Sequence, residues 1–143
     1  MTIYTMVGLP GSGKSTFASN YPDFIVVSTD ALRGELFGDE SDQQNGKLVF
    51  DTAYNRLAQA VAMNYNAIFD ATNLRKRDRK KLFQRFPNVN HIAVFMDTPI
   101  NICKERNSKR ERQVPESVID RMAANLEVPS TEEGFEKVII RKA

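Results

Sequence analysis

Residues 2–18 read TIYTMVGLPGSGKSTFA, and this stretch decides the fold. TIYTMV (2–7) is a short apolar, β-leaning run that ends in a glycine-rich turn, as a buried parallel strand does. The residues from Lys14 onward read as a helix. Between strand and helix, Gly8, Gly13, Lys14 and Ser15 satisfy the pattern G-x-x-x-x-G-K-[ST] at every fixed position. Glycine in such a turn lets successive backbone N–H groups face inward around phosphate oxygens, and the helix opening at Lys14 adds the positive end of its dipole. The pattern predicts that Gly11, Ser12, Gly13, Lys14, Ser15 and Thr16 hold the phosphates of ATP. Lys14 reaches the β- and γ-phosphates, and the Ser15 hydroxyl ligates Mg²⁺.

Outward from this loop the same form repeats. FIVVS (24–28), NAIFD (66–70) and HIAVFMD (91–97) are further apolar runs, and EKVIIRK (136–142) is a candidate last strand. Helical stretches separate them. Val49, Ala53, Leu57 and Val61 recur at intervals of four, on one face of a helix. In PESVIDRMAANLE, Pro115 suits a first helical position, and Val118, Met122 and Leu126 form a stripe. Strands alternating with helices predict an α/β fold with a parallel sheet covered on both faces. Ligands then belong at the carboxyl ends of the strands, where each candidate motif falls.

With 143 residues and neither repeats nor a flexible linker, residues 1–143 are expected to form a single domain. Apolar residues make up 41% and charged residues 27%, as in a soluble globular protein. No apolar run approaches the roughly 20 residues of a membrane span, and the opening MTIYTMVG lacks the regions of a signal peptide. The single cysteine, Cys103, excludes an internal disulfide and fits a reducing cytoplasm; its helical neighbours predict a small buried side chain. His91, the only histidine, reads as a strand-edge residue without a metal role. Val94, Phe95 and Met96 read as core, and Asp97 as the cap of the next helix, with Pro99 in its first turn.

A nucleoside triphosphate can be spent on water or on a bound hydroxyl. AIFDATN (67–73) ends its apolar run at Asp70, a carboxylate placed for Mg²⁺, directly or through water, or for capping the next helix. Ala71 follows where ATPase motors commonly carry a water-polarising Glu, and NSKR (107–110) is not the N-K-x-D of GTP-selective switches. Both absences point from hydrolysis toward transfer. VVSTDALRGELF (26–37) supplies an acceptor site: Asp30 ends the second strand and Arg33 follows one helical turn later, on the same face. The carboxylate can accept a proton from an incoming hydroxyl while the guanidinium holds an anion on the same acceptor. Helix capping by Asp30 is the other reading, and one residue can do both.

In ERNSKRERQVPE (105–116), Arg106 and Arg110 lie four apart. Charge on a transferring phosphoryl group spreads over its equatorial oxygens, so cations closing from above stabilise it, and an Arg-rich lid also excludes water. A solvated basic helix end is the alternative. Charge is unevenly spread: residues 1–74 carry four Lys/Arg against eight Asp/Glu, and residues 75–143 carry sixteen against ten. The excess lies in RKRDRKKLFQR (75–85) and KERNSKRER (104–112), each either a solvated face or a surface for a polyanion.

Taken together, GLPGSGKST, the Asp30…Arg33 pair, the TNL of Thr72–Leu74 and the RNSKR…VP run from Arg106 to Pro115 resemble the P-loop polynucleotide 5′-kinases. The likeness runs from Thr2 to about Leu126. It implies a five-stranded parallel sheet in the order 2-3-1-4-5 with an Arg-rich lid, and ATP and Mg²⁺ as cofactors. By the same likeness Asp30 is the general base and Arg33 holds the acceptor's 3′-phosphate. Thr72 and Asn73 join the substrate site, Arg106 and Arg110 are lid arginines with Arg110 on the transferring phosphate, and Val114 lies against the terminal nucleobase. The acceptor implied is a nucleic acid with a 5′-hydroxyl end, with a separate phosphatase or ligase as a possible partner, since no D-x-D-G-T motif is present. A small-molecule kinase acting on a nucleoside, sugar or antibiotic hydroxyl is the alternative, and an ATP-gated binding protein a second one.

Overall fold

The computed structural model describes residues 1–38, 46–111 and 113–142; Arg112, at the end of the second basic run, lies outside them. Five strands form one sheet: β1 (Thr2–Val7), β2 (Ile25–Ser28), β3 (Ala67–Asp70), β4 (Asn90–Asp97) and β5 (Lys137–Lys142). Their order is β2-β3-β1-β4-β5, all parallel, as expected. The helices are α1 (Lys14–Ser19), α2 (Thr29–Phe37), α3 (Gly46–Ala62), α4 (Lys76–Arg85), α5 (Ile100–Ser108) and α6 (Glu116–Asn125), with one 3-10 turn at Thr131–Glu133.

Alternation along the strands sends side chains to two cores, because a parallel sheet is covered on both faces. Ile3, Val27, Ala67 and Phe69 face α2, α3 and α4, packing on Leu32, Val49, Ala53, Leu57 and Leu82. Met6, Ile68 and Val94 face α1, against Phe17 and Ala18. A third cluster of Leu9, Leu74, Cys103 and Ile119 lies beneath α5 and α6.

Register then builds the site. Ser28 pairs with Asp70, Val7 with Phe95 and Asp97 with Lys142, so the carboxyl ends of all five strands share one edge. The glycine-rich loop leaves β1 at that edge, and α2 leaves β2 there.

Several local expectations are corrected. Pro115 is the cap residue before α6 rather than its first helical residue, and the fully buried position of that helix is Ile119. The stripe of Val118, Met122 and Leu126 is only half-buried, because α6 turns Ile119 into the third core. Asp97 does not cap α5; the cap position is Pro99, with no side-chain bond. His91 is not at an edge. It is buried in β4, between β1 and β5, with Nε2 donating to the Phe86 carbonyl at 2.9 Å. Cys103 is buried as expected.

Candidate active site

The loop between β1 and α1 encloses space for an anion. Gly11 and Gly13 have φ of 79° and 105°, in the region that only glycine adopts readily. A Cβ on Gly11 would come within 2.6 Å of the Cys103 carbonyl oxygen, so α5 packs directly against the loop. The buried Ser12 hydroxyl has no hydrogen-bond partner among the described residues. Lys14 donates from Nζ to the carbonyls of Gly8 and Leu9, at 3.1 and 2.8 Å. Burial pulls its ammonium below the usual lysine value, with Asp70 and then Asp30 pulling it back up.

Ser15 donates from Oγ to Asp70 Oδ2 at 3.0 Å. Burial raises the Asp70 carboxyl above its ordinary value, against the opposing pull of Lys14 and of the Ser15 bond. No group of three or more His, Cys, Asp or Glu able to hold a metal occurs among the described residues. Mg²⁺ nevertheless fits this donor set, because that ion takes one or two protein oxygens and completes its shell with phosphate and water. A tight glycine cradle, an orphaned hydroxyl, and a hydroxyl–carboxylate pair beside a lysine all suit a magnesium triphosphate.

The same cavity holds the second half of the site. The cavity is about 830 Å³ in volume and is lined by the phosphate loop, Asp30, Arg33, Asp70 and Thr72. Arg106, Arg110, Val114, Val118 and Met122 line it too. Asp30 falls in the first turn of α2, not at its cap: Ser28 is the cap, its hydroxyl accepting from the Ala31 N–H at 3.2 Å. The Asp30 carboxylate is therefore free of the capping role that the sequence left open for it. It pairs instead with Arg33 at 3.0 Å, a side chain only 11% exposed. Arg106 approaches the loop, with Nη1 3.4 Å from the Gly11 carbonyl. Arg110 is exposed and lies close enough to influence Lys14 and Asp70 electrostatically.

One expected substrate residue is absent from the cavity wall. Asn73 is buried at φ 46°, and its amide donates to the carbonyls of Met6 at 2.8 Å and Ala71 at 3.3 Å. With that amide spent on backbone, Asn73 is a structural tie between β1 and the turn after β3. Its neighbour Thr72 does reach the cavity, and its carbonyl accepts from the Gly8 N–H. The two basic runs also part ways. Arg106 and Arg110 line the cavity, whereas no residue of α4 does, and its Arg79 is fully buried.

Other wall residues had no signal in the sequence. Phe50 of α3 and Arg141 and Lys142 at the end of β5 line the cavity. Arg141 stacks over the Phe17 ring at 5.6 Å. Asn107, buried in α5, donates to the Val114 carbonyl at 2.6 Å and accepts from the Val114 N–H at 2.9 Å. This pairing ties the end of α5 to the residue before Pro115, the cap of α6. Only its asparagine type, able to donate and accept at once, hinted at it.

A family model described as an AAA domain matches residues 3–129. L-seryl-tRNA(Sec) kinase of Methanococcus maripaludis is 26% identical over 136 residues, covering 88% of this chain and 52% of that protein. A solved chain of the Pnkp1/Rnl/Hen1 RNA repair complex superposes with TM-score 0.78 at 23% identity, covering 87% of this chain and 43% of that one. A sugar kinase from Janibacter sp. HTCC2649 superposes with TM-score 0.71 at 21% identity, covering 99% of this chain and 84% of that one. Both superpositions show a shared fold. The chain spans about half the length of the curated relatives it matches.

Proposed function

The chain belongs to the AAA domain family, and from that premise we propose that residues 1–143 act as one P-loop kinase domain. Its reaction is transfer of the γ-phosphate of ATP to the 5′-hydroxyl of a polynucleotide. The observation that carries this reading is the Asp30–Arg33 pair, 3.0 Å apart, lining the same cavity as the phosphate loop. A carboxylate base and a cation facing one phosphate cradle are the parts a phosphoryl acceptor needs.

Asp30 takes the proton of the attacking 5′-hydroxyl as the new O–P bond forms and the bond to the β-phosphate breaks, releasing ADP. Lys14 binds the donor phosphates. Ser15 and Asp70 would hold Mg²⁺, which when bound would supply charge neutralisation on the phosphate oxygens. Arg33 holds the 3′-phosphate of the terminal nucleotide, and Val114, with Val118 and Met122 of the same lining, offers an apolar seat to its base. Arg106 and Arg110 close over the transferring group and exclude water. The likeness to a chain of the RNA repair complex supports this acceptor and a ligase as partner. So does a bifunctional polynucleotide kinase/RNA ligase of the Autographa californica nuclear polyhedrosis virus, 23% identical over 129 residues.

Incubation with γ-labelled ATP and 5′-hydroxyl oligonucleotides tests it: the label is expected on the 5′ end. No labelled DNA, RNA or duplex end would sink the polynucleotide reading. Phosphorylation of a hydroxyl on a small molecule is the second reading, favoured by the sugar kinase that superposes on 99% of the chain.

A further inference from the structure

Arg79 of α4 is the largest of the fully buried side chains, and its contacts run in two directions. On one side, its Nε and Nη2 donate to the two carboxylate oxygens of Glu133, at 2.8 and 2.9 Å. The Glu133 side chain is 9% exposed, and its second oxygen also accepts from the Ser130 N–H at 2.9 Å. On the other side, Nη1 donates to the carbonyls of Asn73 at 2.8 Å and Leu74 at 3.1 Å. The Leu74 carbonyl takes a further bond from the Glu127 N–H at 2.8 Å.

The turn so held is the one between Asp70 and α4, with Asn73 in the left-handed region at φ 46°, uncommon for any residue but glycine. Its other face touches the phosphate loop. Asn73 Nδ2 donates to Met6 near the end of β1, and the Gly8 N–H, the first of the loop, donates to the Thr72 carbonyl at 3.1 Å. A buried ion pair brings little net stability over apolar packing of the same volume. What a guanidinium adds is fixed fork geometry, holding a carboxylate and two carbonyls at set positions.

We propose that Arg79 is a positioning residue: clamped by Glu133, it holds the Thr72–Leu74 turn through Asn73, and so sets Asp70 and the Gly8 end of the phosphate loop in register for Mg·ATP. The proposal rests on nucleotide binding by the loop and is independent of the acceptor. It ties the donor site to the Thr131–Glu133 turn, no residue of which lines the cavity.

Two variants test it. Glu133→Gln keeps the shape of the clamp but removes its charge, and Asn73→Gly suits the left-handed backbone while deleting the Met6 contact. Each is compared with the unaltered chain for Mg·ATP binding by titration calorimetry and for amide exchange at Gly8, with circular dichroism to establish folding. The expected result in both is at least tenfold weaker Mg·ATP binding and at least tenfold faster exchange at Gly8. A merely structural pair lowers the melting temperature but leaves the affinity of the folded population alone. A folded variant with Mg·ATP affinity within twofold and unchanged Gly8 exchange overturns the proposal. Should Glu133→Gln not fold, Arg79→Lys, which keeps the charge but loses the fork that reaches Glu133 and the Asn73 carbonyl, decides by the same two readouts. Should the unaltered chain bind no Mg·ATP, the nucleotide reading itself fails and Gly8 exchange decides the clamp.

Discussion

Asp30 is a carboxylate with no part in helix capping, because Ser28 caps α2 and Asp30 pairs with Arg33. A general base contributes about 10²–10⁴-fold to rate. Asp30→Asn is therefore expected to lower kcat by that order while leaving Mg·ATP affinity within about twofold, a split read by steady-state kinetics beside direct nucleotide titration. Near-normal turnover would remove Asp30 from the mechanism. Gly11 answers to backbone geometry instead. Alanine there combines φ 79° with a 2.6 Å approach to the Cys103 carbonyl, and backbone oxygen does not yield as a flexible side chain does. Gly11→Ala is expected to cost about 1–3 kcal/mol of stability in a urea melt and to abolish Mg·ATP binding. Both residues were legible in the sequence, one by its motif and one by its place after a strand. The role of Asn73 was not, because its partners Met6 and Ala71 are backbone carbonyls that no sequence pattern announces.

At the scale of elements, the segment between α5 and α6 depends on Asn107. Its two bonds to Val114 fix both ends of the loop that carries Arg110. Asn107→Ala leaves the Val114 N–H and carbonyl without these partners, at a cost of about 1–3 kcal/mol. Acceptor KM is expected to rise and kcat to fall together, since the loop that carries Arg110 and Val114 loses its closed shape while Asp30 and Lys14 stay in place. An unchanged KM in a folded variant would remove the loop from the acceptor site. The strand–helix alternation that places α5 was readable from apolar periodicity, and strand limits moved by only a residue or so. Helix α4 was the harder element. Its basic run offered a solvated face or an anion surface, and neither describes Arg79, whose carboxylate partner lies 54 residues away in sequence.

At the scale of the whole molecule, His91 contributes a pH dependence whose sign follows from its burial. Burial holds the His91 imidazole below its ordinary value of 6.5, so the folded chain resists a proton that the unfolded chain accepts. Stability contributed by neutral His91 is present above about pH 6.5 and is lost as pH falls below it. Urea melts at pH 7 and 5.5 are expected to show this loss, and His91→Gln, which keeps a donor for the Phe86 carbonyl, to lessen it; equal losses in the two proteins would acquit His91. Asp70 acts oppositely, since its raised value makes the folded chain hold a proton longer as pH rises above 3.8. Salt separates the two acceptor readings, because the basic side chains gather in the second half of the chain and Arg106, Arg110, Arg141 and Lys142 among them line the cavity. A polynucleotide acceptor is expected to bind more weakly as salt rises, and a neutral small molecule hardly to respond.

The sequence by itself determined the phosphate loop, the order of strands and helices, and the edge at which chemistry gathers. These depend on near neighbours: glycine at positive φ, apolar runs, and spacing within one helical turn. Only the tertiary structure decided which charges face the cavity, which are spent in buried pairs, and which asparagines bind backbone. Those outcomes depend on the parallel register of β1, β3 and β4 and on helices packed across them, which bring together groups tens of residues apart whose types alone suit many partners.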